Sequence, residues 1–186
     1  MGKFGNLEEV EKEYGVNSGG KWLNKIPVGE NKYRIVSQFY HFGEHWDGMS
    51  KVCIGKESGC KYCNDGKKPN LRFLGWIIDR ADGKFKIMKT GHSVVKQISA
   101  LDEKDDYKFG EDGLPKYDIT ITRVGETKTD TKYTILPGRK DTKLTEEELE
   151  KQKELKDPLE IIVAMKEKLN VEEPDSGEIS KEDMPI

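Results

Sequence analysis

Apolar positions along this chain switch between two spacings. In residues 71–79 (LRFLGWIID) and 84–89 (KFKIMK) the pattern is that of strands, and Arg80-Ala81-Asp82-Gly83 between them reads as a hairpin turn whose Asp-Gly pair accepts positive φ. Tyr33, Ile35 and Ser37 alternate with Arg34, Val36 and Gln38, which predicts an earlier strand over residues 32–40, preceded by the turn residues Gly29-Glu30-Asn31. Residues 117–124 (YDITITRV) and 132–137 (KYTILP) predict a second hairpin across a longer loop. Between the hairpins, Val94, Val95, Ile98 and Leu101 have helical spacing, with Ser93 as the candidate N-cap.

Helical spacing also flanks the strands. Phe4, Leu7, Val10 and Tyr14 predict a short amphipathic helix, and residues 15–20 a flexible link. After Leu144, Thr145 and Glu148 stand at capping-box spacing, Pro158 interrupts, and Ile162, Val163, Met165 and Leu169 mark a second helical stretch. Periodicity stops at Val171. The predicted organisation is therefore 1–20 (helix and linker), 21–144 (β core with an insertion at 41–70), 145–170 (helices) and 171–186 (a disordered acidic tail).

Five strands with a helix between the third and fourth follow the order of an OB-fold. The expected class is mainly β: a five-stranded OB-fold barrel with an inserted loop subdomain and C-terminal helices. An open five-stranded α+β sheet is the competing architecture. A hydrophobic fraction of 34% against 36% charged residues suits short strands that bury one face.

The insertion has different chemistry. Residues 42–70 are poor in aliphatic side chains, rich in Gly, Lys and Asp, and contain all three cysteines. Apolar burial cannot hold such a segment. Cys53 is followed by six residues and then Cys60-Lys61-Tyr62-Cys63, with Gly59 able to form a knuckle that turns backbone amides toward thiolate sulfur. A fourth ligand completes a tetrahedron. His45, with seven residues before Cys53, is favoured; His41 is the alternate, and His92 is remote in sequence. Three thiolates and an imidazole suit a single zinc ion, and four protein ligands make it structural. The competing readings are incidental cysteines or a thiol redox pair. A redox CxxC belongs at a helix start after a strand, not in a Gly/Lys-rich loop.

A net charge of -3 spread evenly would argue against a nucleic-acid partner. It is not even. Residues 171–186 hold six acids and one Lys (-5), residues 145–170 eight acids and five Lys (-3), and residues 1–144 carry 26 basic against 21 acidic side chains (+5). The predicted β core is basic. No run approaches the ~20 apolar residues of a membrane helix, and the first 15 residues lack a signal peptide's apolar stretch, so the expectation is a cytoplasmic protein without a membrane partner. No GxSxG, P-loop or HExxH occurs, and runs such as Asp102-Glu103-Lys104-Asp105-Asp106 read as solvated loop. The expectation is no enzyme and no small-molecule substrate.

Several stretches together resemble the single-stranded DNA-binding proteins of tailed phages and prophages. They are Ser18-Gly19-Gly20-Lys21-Trp22, Gly29-Glu30-Asn31-Lys32-Tyr33-Arg34-Ile35, the His45 to Cys63 segment, Ile78-Asp79-Arg80-Ala81-Asp82-Gly83-Lys84 and Tyr117-Asp118-Ile119-Thr120. Asp130-Thr131-Lys132-Tyr133-Thr134 and Leu144-Thr145-Glu146-Glu147 complete the set, which spans about residues 18 to 148. That group is related to the helix-destabilising protein of T-even phages, although the His-to-Cys and Cys-to-CxxC gaps are shorter here. The resemblance implies an OB-fold with a zinc subdomain and sequence-independent binding of single-stranded DNA in replication and recombination, in the bacterial host's cytoplasm. Lys181-Glu182-Asp183-Met184-Pro185-Ile186 also resembles the acidic, apolar-tipped end of bacterial single-stranded DNA-binding proteins. It implies that Asp183, Met184, Pro185 and Ile186 recruit replication or recombination proteins.

Such binding needs cations for phosphates and rings for bases. The stacking candidates are Tyr40, Trp46, Trp76 and Tyr133; the phosphate candidates are Arg34, Arg72, Lys86, Arg123, Lys132, Arg139 and Lys140. The alternatives are a zinc-stabilised transcription-accessory or protein-interaction module, and a thiol oxidoreductase.

Overall fold

A computed structural model describes residues 21–127, 129–139 and 142–171; the predicted N-terminal helix and link, Lys140 and the tail beyond Val171 lie outside the described residues. In chain order the elements are β1 (Lys21–Leu23), β2 (Gly29–Ile35), β3 (Tyr40–Trp46), β4 (Ser50–Val52), α1 (Lys61–Asn64), β5 (Asn70–Asp79) and β6 (Lys84–Gly91). They continue with α2 (His92–Asp102), a 3-10 turn (Asp105–Tyr107), β7 (Ile119–Val124), β8 (Lys132–Pro137), α3 (Glu146–Lys153) and α4 (Pro158–Val171). The protein is mainly β with C-terminal helices.

The eight strands form one mixed sheet in the order β1-β6-β5-β2-β7-β8, with β3 on β5 and β4 on β3. This corrects the expected five. Among the described residues no pairing joins β8 back to β6 or β1, so the sheet is open rather than a closed barrel, and α2 packs on β5, β6 and β8. β1 escapes a sequence reading because it is three residues long and exists through its parallel pairing with β6, Trp22 opposite Ile87.

The ten-residue β5 organises the molecule. Its first half pairs with β3, its end with β2, and its whole central length with β6. The strand expected over residues 32–40 therefore splits: β2 ends at Ile35, and the chain steps sideways at Ser37–Phe39 before β3 begins. Gly75 allows the step, since a Cβ there would lie 2.9 Å from the Phe39 ring and 3.1 Å from the Gln38 carbonyl.

Both faces of β5 are covered along its second half, which explains the continuous buried run from Leu74 to Ile78, while β6 contributes Ile87 to one face and Met88 to the other. Ile77 and Met88 join Tyr33, Ile119, Ile121 and the α2 residues Val94 and Ile98 in one core cluster. Leu74, Trp76, Ile78 and Ile87 join Ile161 and Ile162 of α4 in the other. The α2 cap differs from expectation. β6 runs straight into the helix, so Gly91, with extended backbone and no side-chain cap bond, is the N-cap rather than Ser93. At α3 the capping box forms as expected: Thr145 Oγ1 accepts from the Glu148 amide at 3.2 Å, and Glu148 Oε2 accepts from the Thr145 amide at 2.9 Å. Glu148 also meets Arg80, which fastens α3 to the β5–β6 turn.

Candidate metal centre and basic cleft

Within residues 43–69 the buried side chains are Glu44, His45, Cys53 and Cys60. No apolar residue but cysteine is fully buried there, so burial of aliphatic surface contributes little to this lobe. Its inner face is instead a cluster of four candidate ligands. One ligand atom each from His45, Cys53, Cys60 and Cys63 lie within 4.8 Å of one another.

Three local devices bring them together. The β3–β4 hairpin pairs Glu44 with Val52, which sets Cys53 just past the strand end, where its amide donates to the Gly43 carbonyl at 2.8 Å. Gly43 permits this approach, because a Cβ there would lie 2.9 Å from Cys53 Cβ and 3.0 Å from Pro69 Cβ. The Cys60 amide bonds the Gly55 carbonyl at 3.0 Å, closing the loop before α1, and Cys60 sits at the N-cap with Cys63 one turn on.

Sulfur–sulfur distances are 3.4 Å (Cys53–Cys63) and 4.0 Å (Cys53–Cys60), and His45 Nε2 lies 3.5 Å from both Cys60 and Cys63. A tetrahedral ion with ~2.3 Å bonds to sulfur and ~2.0 Å to nitrogen sets these separations near 3.8 and 3.5 Å. The four groups can hold one metal ion. Burial raises the Cys60 thiol, but the Cys63 amide, the neighbouring sulfurs and the Ile54 amide outweigh it and hold the thiol below its ordinary value. Tyr62 stacks on His45 at 5.1 Å and donates to Asp47 at 3.0 Å, bracing the ring. His41 is exposed beside Phe73, and His92 is exposed on the other side of that ring. His45 is the histidine of the cluster.

On the same sheet, a cleft of about 810 Å³ opens among the ends of β5 and β6, the first turn of α2, β8 and the β7–β8 loop. Lys25, Arg72, Arg123, Lys132 and Tyr133 line it with Ser93, Gln97, Thr127, Thr131 and Thr134; Glu126 is the one acid of the lining among the described residues. Four of the sequence candidates thus converge: Arg72, Arg123, Lys132 and Tyr133. Arg123 serves the wall rather than the opening. It is buried, donating to the Ile26 carbonyl at 2.9 Å, the Glu126 carbonyl at 3.2 Å and Thr131 at 3.4 Å, which ties the β7–β8 loop to the chain before β2.

The remaining candidates go elsewhere. Arg34 is a correction: it is buried on β2, bonding the Thr142 carbonyl at 2.6 Å and lying 3.5 Å from Asp118. Trp76 is also a correction, because α4 packs over it and its indole donates to the Lys156 carbonyl at 2.8 Å. Lys86 is engaged by Asp79 at 2.6 Å and Asp82 at 2.9 Å. Tyr40 is half-buried against the second core cluster, Arg139 is exposed, and Trp46 stands 69% exposed at the end of β3, outside the cleft.

Sequence reasoning missed Lys25, which no motif marks, and Glu44, whose only signal is adjacency to His45. No helix among the described residues is long and apolar enough to cross a membrane. Comparison with known protein families, curated proteins and solved structures found no match.

Proposed function

We propose that this is a non-enzymatic protein that binds single-stranded DNA without sequence preference, in phage or prophage replication and recombination in the host cytoplasm. The cleft is the observation that carries this reading: it gathers Lys25, Arg72, Lys132 and Tyr133 around one opening. Cations along a groove take phosphates of any sequence, and a half-exposed ring stacks any base. The order β6-β5-β2-β7-β8, with α2 between β6 and β7, supports an OB-type arrangement whose seam is bridged by α2. The ion is zinc, by the preference of three thiolates and an imidazole for it, and its role is structural because the protein supplies all four ligands. No small molecule or membrane takes part. Residues 183–186 recruit replication or recombination proteins.

Titration of a labelled oligothymidine at several salt concentrations tests the reading. Three accessible cations predict a log–log salt slope near -2, at about -0.7 per phosphate for single strands. Tyr133→Ala is expected to weaken binding by about 1–3 kcal/mol, the value of one stacked base. Absent binding at low salt, or affinity indifferent to salt, sinks the proposal. Removal of residues 171–186, which carry -5, is expected to tighten binding several-fold at low salt and little at high salt, since an acidic segment competes for the same cations. Unchanged low-salt affinity counts against that competition.

A second reading, a zinc-stabilised protein-interaction or transcription-accessory module, draws on Trp46 (69% exposed) and Met49 (44% exposed) at the β3–β4 hairpin. Preference for a protein or for duplex DNA over oligothymidine, abolished by Trp46→Ala, favours it.

A further inference from the structure

Glu44 immediately precedes the ligand His45 on β3, and alternation along the strand turns the two side chains to opposite faces. His45 faces the sulfurs. Glu44 faces the β5–β6 ladder, where Oε2 accepts from Arg72 Nε at 2.8 Å and Oε1 accepts from Lys89 Nζ at 2.6 Å and from Ser50 Oγ. The carboxylate is 6% exposed, far below what an unpaired acid tolerates, so these donors and Glu44 hold one another in place.

The geometry at Arg72 is asymmetric. Glu44 engages Nε, while the side chain remains 37% exposed and lines the cleft, with Nη1 3.5 Å from where a Cβ on Gly91 would lie. A guanidinium clamped at Nε keeps a planar pair of donors for a second anion, the arrangement suited to bidentate phosphate contact. Lys89, bound to the same carboxylate, is absent from the cleft wall.

We propose that Glu44 is a positioning residue through which the metal lobe sets Arg72 for phosphate contact. The metal fixes His45 and hence the register of β3; that register fixes Glu44; Glu44 fixes the Arg72 fork. Its DNA consequence rests on the single-strand reading above, but the link from ligand strand to Arg72 does not.

The full-length, metal-loaded protein and its Glu44→Gln and Arg72→Lys variants test it, with cobalt as the spectroscopic metal and oligothymidine as the probe. Glu44→Gln is expected to keep one equivalent of cobalt with an unchanged thiolate absorption band. In the same variant, hydrogen exchange at Arg72 Nε accelerates at least ten-fold by NMR. Oligothymidine affinity falls about ten-fold, and the salt slope loses about 0.7, one phosphate contact. Arg72→Lys keeps the charge without the fork and loses affinity to a similar extent. Combining the two substitutions adds no further loss. A protected Arg72 Nε–H in Glu44→Gln overturns the proposal, as do multiplying losses in the double variant or a Glu44→Gln protein that no longer takes up cobalt. If Glu44→Gln does not fold, wild-type affinity in Arg72→Lys is the overturning result. Should the wild-type protein ignore oligothymidine while Arg72 exchange still follows Glu44, the single-strand reading falls and the positioning role stands.

Discussion

Cys60→Ser is expected to reduce metal content from one equivalent to near zero and to unfold the lobe spanning residues 43–69. Ordering backbone costs about 1–2 kcal/mol per residue. In this lobe the usual compensation is missing, because its buried side chains are Glu44, His45, Cys53 and Cys60. Structural zinc supplies roughly 10–16 kcal/mol in small zinc-dependent folds, and here it would replace the absent core. Cys60 is central to the cluster, within 4.0 Å of Cys53 and 3.5 Å of His45. A hydroxyl in its place is a poor ligand, and the other two histidines cannot substitute, since His41 and His92 lie beside Phe73 instead. The damage should extend beyond the lobe, because β3 pairs with the first half of β5. A fall in Tm of roughly 10 °C is expected, equivalent to several kcal/mol at this chain length. Metal analysis and hydrogen exchange check both parts. A variant that retains one equivalent, or keeps residues 43–69 protected without metal, refutes the metal-dependent lobe.

Asp118→Ala should be the most damaging single change in the β core. Asp118 is 5% exposed and serves three cations: Arg80 at 3.1 Å, Arg34 at 3.5 Å and Lys32 at 3.5 Å. Lys32 is more than half exposed and adds little. Arg34 decides the size of the effect. Burial pulls its guanidinium below the ordinary value despite Asp118, and its Nη1 has the ion pair without a hydrogen bond. Losing the carboxylate leaves a buried cation uncompensated, which costs about 3–5 kcal/mol. Arg80 would keep Glu148, so α3 stays docked. Urea denaturation should show the loss as a shifted midpoint with unchanged slope. The double replacement Arg34→Met with Asp118→Leu should restore most of the stability, since removing both charges removes the penalty. An Asp118→Ala protein within about 1 kcal/mol of wild type contradicts this account.

Arg34 also shows where residue-level reasoning ends. Along the sequence it is a cation on a strand, indistinguishable in kind from Arg72. In the structure it is buried against Asp118 and Thr142, whereas the Arg72 side chain is 37% exposed and lines the cleft. Trp76 is the parallel case among the rings. Alternation places it correctly with Leu74 and Ile78, but that face is the one Ile161 and Ile162 of α4 cover. Tyr133, on the edge strand β8, packs against the first core cluster but stays partly exposed and lines the cleft.

What the sequence determined by itself was local: the β5–β6 and β7–β8 hairpins, α2, the Thr145–Glu148 capping box, and the cysteine spacing that yields a four-ligand cluster. Each depends on groups within a few turns or one loop, so periodicity and spacing carry the information. The tertiary structure decided the rest. It made β1 from a pairing with β6, split the strand at Ser37–Phe39 in the space that Gly75 leaves, left the sheet open, and sorted the cations into ion-paired and cleft-facing. Those outcomes depend on which distant surface covers each face. A side chain's identity does not encode that, because burial and pairing are properties of the partner that arrives.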